Sequence, residues 1–139
     1  SFYPVITNIT LKRAAGTTTE AQSEVQLDAI QFKKHGNGNF SNIVIDGYKN
    51  QNTPTALNGG AIQILDLVTY NSQVAGGKIK LNNVKITNTD NEFISGAATF
   101  TVTASSFVPS SNWSTSTTAT GASLTNGTWS TVNGTTLLQ

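Results

Sequence analysis

Three short segments of the chain share one order of positions: an apolar residue, a polar residue, Asn, a branched aliphatic, a variable residue and a further aliphatic. They are Ile6-Thr7-Asn8-Ile9-Thr10-Leu11, Phe40-Ser41-Asn42-Ile43-Val44-Ile45 and Leu81-Asn82-Asn83-Val84-Lys85-Ile86. The first apolar residue and the aliphatic after Asn stand three apart, so strict strand alternation would send them to opposite faces. Asn tolerates the left-handed conformation and hydrogen-bonds locally, so a bend at Asn keeps both side chains on one side. A second pattern, Ala29-Ile30-Gln31-Phe32 and Ala61-Ile62-Gln63-Ile64, precedes the Asn segment in each of its copies. Two patterns recurring in one order predict stacked repeats, each one coil of short strands with insertions of variable length between them.

Stacking such coils brings Asn8, Asn42 and Asn83 into one row, where side-chain amides bond along the stack. It gathers Ile9, Leu11, Ile30, Phe32, Phe40, Ile43, Ile45, Ile62, Ile64, Leu81, Val84 and Ile86 into one core. Turn chemistry separates the segments at Gly36-Asn37-Gly38-Asn39, Asp46-Gly47, Asn58-Gly59-Gly60 and Gly76-Gly77. Long loops are expected at 14–23, 48–58 and 69–75. Helix formers gather only in Thr19-Glu20-Ala21-Gln22-Ser23-Glu24, a stretch short enough to be a loop.

Every charged residue lies in residues 1–92, which form the β coils; residues 93–139 carry none and are rich in Ser and Thr. This tail keeps enough apolar residues to be ordered β structure that closes the C-terminal end of the same domain. Its segment Ala98-Thr99-Phe100-Thr101-Val102-Thr103-Ala104 alternates as a strand does. Trp113 and Trp129 stand in matching settings, Trp-Ser-Thr in both. They serve either as apolar anchors at the end of the core or, with Tyr48, as flat stacking faces for sugar rings.

The segment Ile30-Gln31-Phe32-Lys33, running through a Gly/Asn turn into Phe40-Ser41-Asn42-Ile43-Val44-Ile45-Asp46-Gly47-Tyr48, resembles the right-handed parallel β-helix of the pectate-lyase type. It resembles more closely the C-terminal coils of secreted and surface β-helix proteins of bacteria, well over residues 25–92 and loosely over the tail. The resemblance implies an all-β chain, a right-handed parallel β-helix segment located outside the cell or on its surface. The alternative architecture is an antiparallel β-sandwich, which accommodates short strands and frequent turns but gives no reason for the repeated Asn.

Composition narrows the function. A net charge of +1 with 11% charged residues provides no basic surface for phosphates, so nucleic acid is not an expected partner. No run approaches the roughly 18–20 apolar residues of a membrane-spanning helix, and membrane insertion is not expected. Cysteine is absent, which removes disulfides, thiolate metal sites and a Cys nucleophile.

Enzymes of the resembled fold cleave acidic polysaccharides with paired carboxylates or with a base and Ca²⁺. Hydrolysis needs two carboxylates roughly 5–10 Å apart. Asp28, Asp46 and Asp66 are the candidates, yet Asp46 precedes Gly47 as a turn residue does, and Asp28 and Asp66 flank the Ala-Ile-Gln strands on opposite sides. Arg13, Lys33 and Lys34 bear no mark of a depressed pKa, and His35 sits beside a turn glycine as the only histidine. Asn88, Asp90 and Glu92 offer oxygen ligands at alternate positions but lack the Gly and bidentate Glu of a calcium loop, so Ca²⁺ is the one weak cofactor candidate.

These readings favour a non-enzymatic extracellular surface or structural segment acting in assembly, adhesion or glycan contact. The alternatives are a fragment of a polysaccharide lyase or glycoside hydrolase and a carbohydrate-binding module. A repeat beginning at Ile6 without a visible cap predicts that the N-terminal edge meets another protein chain or further coils upstream.

Overall fold

The computed structural model describes residues 4–13, 28–49 and 59–123, together with the strand pair Thr131–Val132 and Thr135–Thr136. Seven strands precede that pair: β1 (Val5–Lys12), β2 (Asp28–Phe32), β3 (Gly38–Asp46), β4 (Gly60–Ile64), β5 (Ile79–Thr87), β6 (Asn91–Ser95) and β7 (Trp113–Thr115). They form two sheets, in order β1-β3-β5-β7 and β2-β4-β6, so the chain alternates between sheets and each strand lies beside the one two before it. Every pairing in these two sheets is parallel, which overturns the antiparallel sandwich. The chain is all-β in class; its antiparallel pairing is confined, among the described residues, to β8 (Thr131–Val132) with β9 (Thr135–Thr136).

The repeats set the register. Thr7 pairs with Ser41 and Ser41 with Asn82; Ile9 pairs with Ile43 and Ile43 with Val84. Asn8, Asn42 and Asn83 therefore share one level, and each is left-handed, with φ of 61°, 55° and 56°. This bend lets residues three apart enter one interior: Leu81 and Val84 are both fully buried, and Phe40 and Ile43 both pack on the core. The Ala-Ile-Gln segments pair likewise, Ile30 with Ile62 and Gln31 with Gln63.

All twelve apolar repeat positions belong to one cluster. Phe32, Ile43, Ile45, Ile62, Ile64, Leu81 and Val84 are buried, whereas Ile9, Leu11, Ile30, Phe40 and Ile86 are partly covered. For three of these five the difference follows position in the stack. Ile9, Leu11 and Ile30 sit on β1 and β2, which have a neighbour on one side only. The opposite end is closed by aromatic residues, with Phe107 against Phe93 and Trp113, and Phe100 stacked on Tyr70 at 5.0 Å.

Two expected elements differ. Residues 69–75 are not a loop: Leu67–Thr69 make an α-turn that continues as a π-turn, Tyr70–Val74. Asp66 starts it by accepting the Thr69 amide at 2.7 Å, and buried Val74 ties it to the core. Residues 98–104 form no strand, although Phe100 and Val102 are buried and Thr99, Thr101 and Thr103 around them exposed. Alternation fixes which side chains point inward; a strand also needs a partner edge, and here Val102 donates its amide to Ser95 Oγ instead. The 19–24 stretch and Trp129 lie outside the described residues.

Candidate functional site

The Asn row is the most elaborated polar feature. Asn42 Nδ2 donates to Asn8 Oδ1 at 2.8 Å, but its Oδ1 turns away from Asn83 and accepts the amides of Thr120 at 2.9 Å and Gly121 at 3.1 Å. The uncharged tail thus runs back along the row. Asn83 donates its amide to Ser114 Oγ at 2.9 Å, Thr120 and Gly121 engage Asn42, and Ala122 donates to Thr10 Oγ1 at 2.9 Å. Gly121 has φ of 66° and is buried; a Cβ there would collide with Thr10 Oγ1, so glycine is required for this approach.

Among the described residues, amide bonding along the row joins only Asn8 to Asn42. A second amide pair, Gln31 Nε2 to Gln63 Oε1, lies in the other sheet. Ile94 occupies the next position above Gln63 and offers no acceptor, leaving Gln63 Nε2 buried without a partner.

A third polar cluster surrounds His35. Its Nδ1 lies 3.2 Å from Ser72 Oγ, its amide donates to Thr69 Oγ1 at 3.1 Å, and Asn37 Nδ2 donates to Gln73 Oε1 at 2.9 Å. Asp66 accepts the Lys34 amide at 2.9 Å as well as that of Thr69. A serine, a histidine and an aspartate therefore meet, but not as a nucleophilic triad. Ser72 Oγ directs its proton to the Val68 carbonyl at 2.6 Å, and both Asp66 oxygens hold backbone amides rather than the imidazole. Those amides, Lys34 first and then Thr69, hold the Asp66 carboxyl below its ordinary value. The cluster locks the turn after β2 onto the helical segment after β4.

Asp46 and Asp90 are also separately engaged. Asp46 accepts from Asn88 Nδ2 at 2.9 Å and Thr87 Oγ1 at 3.1 Å, and the Asn88 bond is the main cause of its lowered pKa. Asp90 accepts the Gly59 amide at 3.0 Å. Asn88 and Asp90 thus face different partners, Glu92 shares neither of them, and no group of three His, Asp or Glu side chains is placed to hold a metal among the described residues. Arg13 Nη1 donates to the Lys49 carbonyl at 3.0 Å; Lys33, Lys34 and His35 are exposed. Trp113 is half-buried, with its ring 4.7 Å from Phe93 and 5.6 Å from Phe107, and Tyr48 packs partly buried against the core.

Asp28 is different. Both of its carboxylate oxygens are buried without a hydrogen-bond partner, and burial pushes its pKa up to about 6. A carboxyl whose pKa is raised on folding holds its proton in the folded state over a range where the unfolded chain has lost it. Its contribution to stability therefore falls as pH rises from about 4 to about 6. Replacing Asp28 by Asn is expected to raise stability at pH 7 by about 1 kcal/mol, after discounting for partial solvent access. The gain should vanish near pH 4. Urea titrations at both pH values check this, and an equal effect at the two would show that the charge is not responsible.

The tail's docking and the His35 cluster were not read from the sequence. Asp66-Leu67-Val68-Thr69, a capping residue three before an amide it can accept, was the available signal for the helical segment. Comparison with known protein families, characterised proteins and solved structures returns no match to this chain.

Proposed function

We propose that this chain is a right-handed parallel β-helix segment of a non-enzymatic extracellular or surface protein, and that it works by joining its stack to another polypeptide. The observation that carries this reading is the unequal finish of the two ends. At the β7 end the core is closed by Phe100, Phe107 and Trp113. At the other end, β1 and β2 are edge strands, Val5 and Ile6 are 68% and 46% exposed, and Ile9, Leu11 and Ile30 leave the core half-covered. A long edge with exposed apolar residues is a template for strand addition unless it is blunted, and no proline, bulge or inward charge interrupts Val5–Lys12.

The helical architecture is supported by the alternation of the chain between two parallel sheets and by the left-handed Asn at one level. Its hand and its setting outside the cell rest on the resemblance over residues 25–92. A structural rather than catalytic role is supported by the commitment of Asp46, Asp66 and Ser72 to local hydrogen bonds.

Light scattering tests the reading. The chain is expected to associate as its concentration rises, and the Val5→Lys, Ile6→Lys double variant to remain monomeric with an unchanged far-ultraviolet circular dichroism spectrum. A chain that stays monomeric at millimolar concentration, or a double variant that associates equally, removes the proposal.

A further inference from the structure

Near the closed end, β5 outruns its neighbour. β7 stops at Thr115, while β5 continues to Thr87. Ser116 donates its amide to the Val84 carbonyl at 2.9 Å, and the chain then leaves toward Asn42. Backbone groups point alternately to the two sides of a strand. The Val84 carbonyl faces β7, and the Thr87 carbonyl faces β3, where it accepts the Gly47 amide at 3.2 Å. Ile86 therefore turns both its N–H and its C=O to the side that β7 leaves empty, and no described residue bonds either group.

The same alternation continues around the corner. Asn91 donates its amide to the Gly59 carbonyl at 3.0 Å, toward β4, so Glu92 presents its backbone groups to the opposite, open side. Between these positions lies an open groove of about 620 Å³, with Ile86 and Glu92 on one wall and Thr115 and Thr117 on the other. Its size is in the range of roughly 300–1,000 Å³ typical of ligand sites. The Ile86 side chain reaches it from the end of the core. Glu92 is exposed, although partial desolvation raises its pKa, and no described cation pairs with its carboxylate. Lys85, also at the groove, lies close enough to Asp46 to act on that carboxylate's charge.

We propose that this groove binds an extended polypeptide segment of another protein, which adds as a strand along the open stretch of β5 and sets a Lys or Arg against Glu92. The occupant is a polypeptide because the groove wall is a strand edge whose Ile86 N–H and C=O, bonded by no described residue, match another backbone, and because β7 already occupies the preceding stretch of β5 in that way. The basic residue follows from the unpaired carboxylate. A glycan would meet hydroxyl groups on Thr115 and Thr117 but has no reason to match the spacing of a strand. The site is separate from the β1 edge, and either proposal can fail alone.

The experiment uses the whole chain, labelled with ¹⁵N, and two blocked hexapeptides, Val-Thr-Val-Lys-Val-Thr and the same peptide with Glu in place of Lys. Titration with the Lys peptide is expected to shift the Ile86 and Thr87 amide signals, with binding about tenfold tighter than for the Glu peptide. In Glu92→Lys the order of the two peptides should reverse while signals far from the groove keep their positions. N-methylation of the two central peptide residues should abolish binding. The proposal is overturned if neither peptide shifts Ile86, if Glu92→Lys leaves the preference unchanged, or if a neutral xylo-oligosaccharide shifts these signals where the peptides do not.

Discussion

Truncating Phe107 to alanine is expected to cost about 3–5 kcal/mol, the largest effect of any single substitution considered for this chain. Phe107 is 1% exposed, its ring lies 5.6 Å from Trp113 at an interplanar angle of 27°, and Phe93 flanks it at 5.8 Å. Removing the ring takes away its apolar burial, leaves a cavity that the surrounding strands can fill only in part, and breaks two aromatic contacts. The neighbouring Val108, 52% exposed, provides the control: Val108→Ala should change stability little. Urea unfolding measures both, and the near-ultraviolet circular dichroism of the aromatic cluster should weaken in Phe107→Ala alone. Because this cluster closes one end of the core, its loss should also add a second sticky end, so the variant should associate even when Val5 and Ile6 are replaced by Lys. A cost below about 1 kcal/mol would mean that the tail does not contribute to the core.

The sequence announced some parts of this structure and concealed others, for physical reasons. The Asn bend was legible because its signal is local: a residue that tolerates positive φ, flanked by apolar positions whose spacing makes sense only if the chain turns there. The core list was legible for the same reason. Its gradient of burial was not, since Ile9 and Ile43 occupy equivalent places in identical patterns and differ only in having one or two neighbouring strands. Phe100 and Val102 alternate with threonine as strand residues do, but no feature of the segment reports whether an edge is free to receive it. The tail's route was least visible. Thr120 and Gly121 meet Asn42 across a separation of 78 and 79 residues, through backbone amides that every sequence possesses. The His35 cluster joins two turns 32 to 37 residues apart, through side chains that read individually as surface polar residues. The candidate groove is a property of where one strand stops beside another, and neither endpoint carries a marked residue.

Replacing Asn42 by leucine is expected to destabilise the chain by about 2–4 kcal/mol, from two separable causes. Leucine at φ of 55° brings its Cβ against the following carbonyl, which costs about 1–2 kcal/mol. The remainder comes from the lost side-chain oxygen, which leaves the Thr120 and Gly121 amides without their acceptor, the latter on a buried residue. Asn42→Gly separates these causes, because glycine accepts the backbone angle and removes only the amide. Asn83 supplies the complementary control. It has nearly the same φ, 56°, but its side chain makes no hydrogen bond among the described residues, so Asn83→Leu should show the backbone cost alone. Urea unfolding of the three variants tests the comparison, and hydrogen exchange at the Gly121 amide locates the loss: it should speed up in both Asn42 variants and stay slow in Asn83→Leu. If Asn42→Leu costs no more than Asn83→Leu, the tail is not held by this row. If it costs more and Gly121 exchanges faster, a single asparagine both bends one strand and fastens the returning tail across the stack, linking β1 and β3 to a segment that follows them by more than seventy residues.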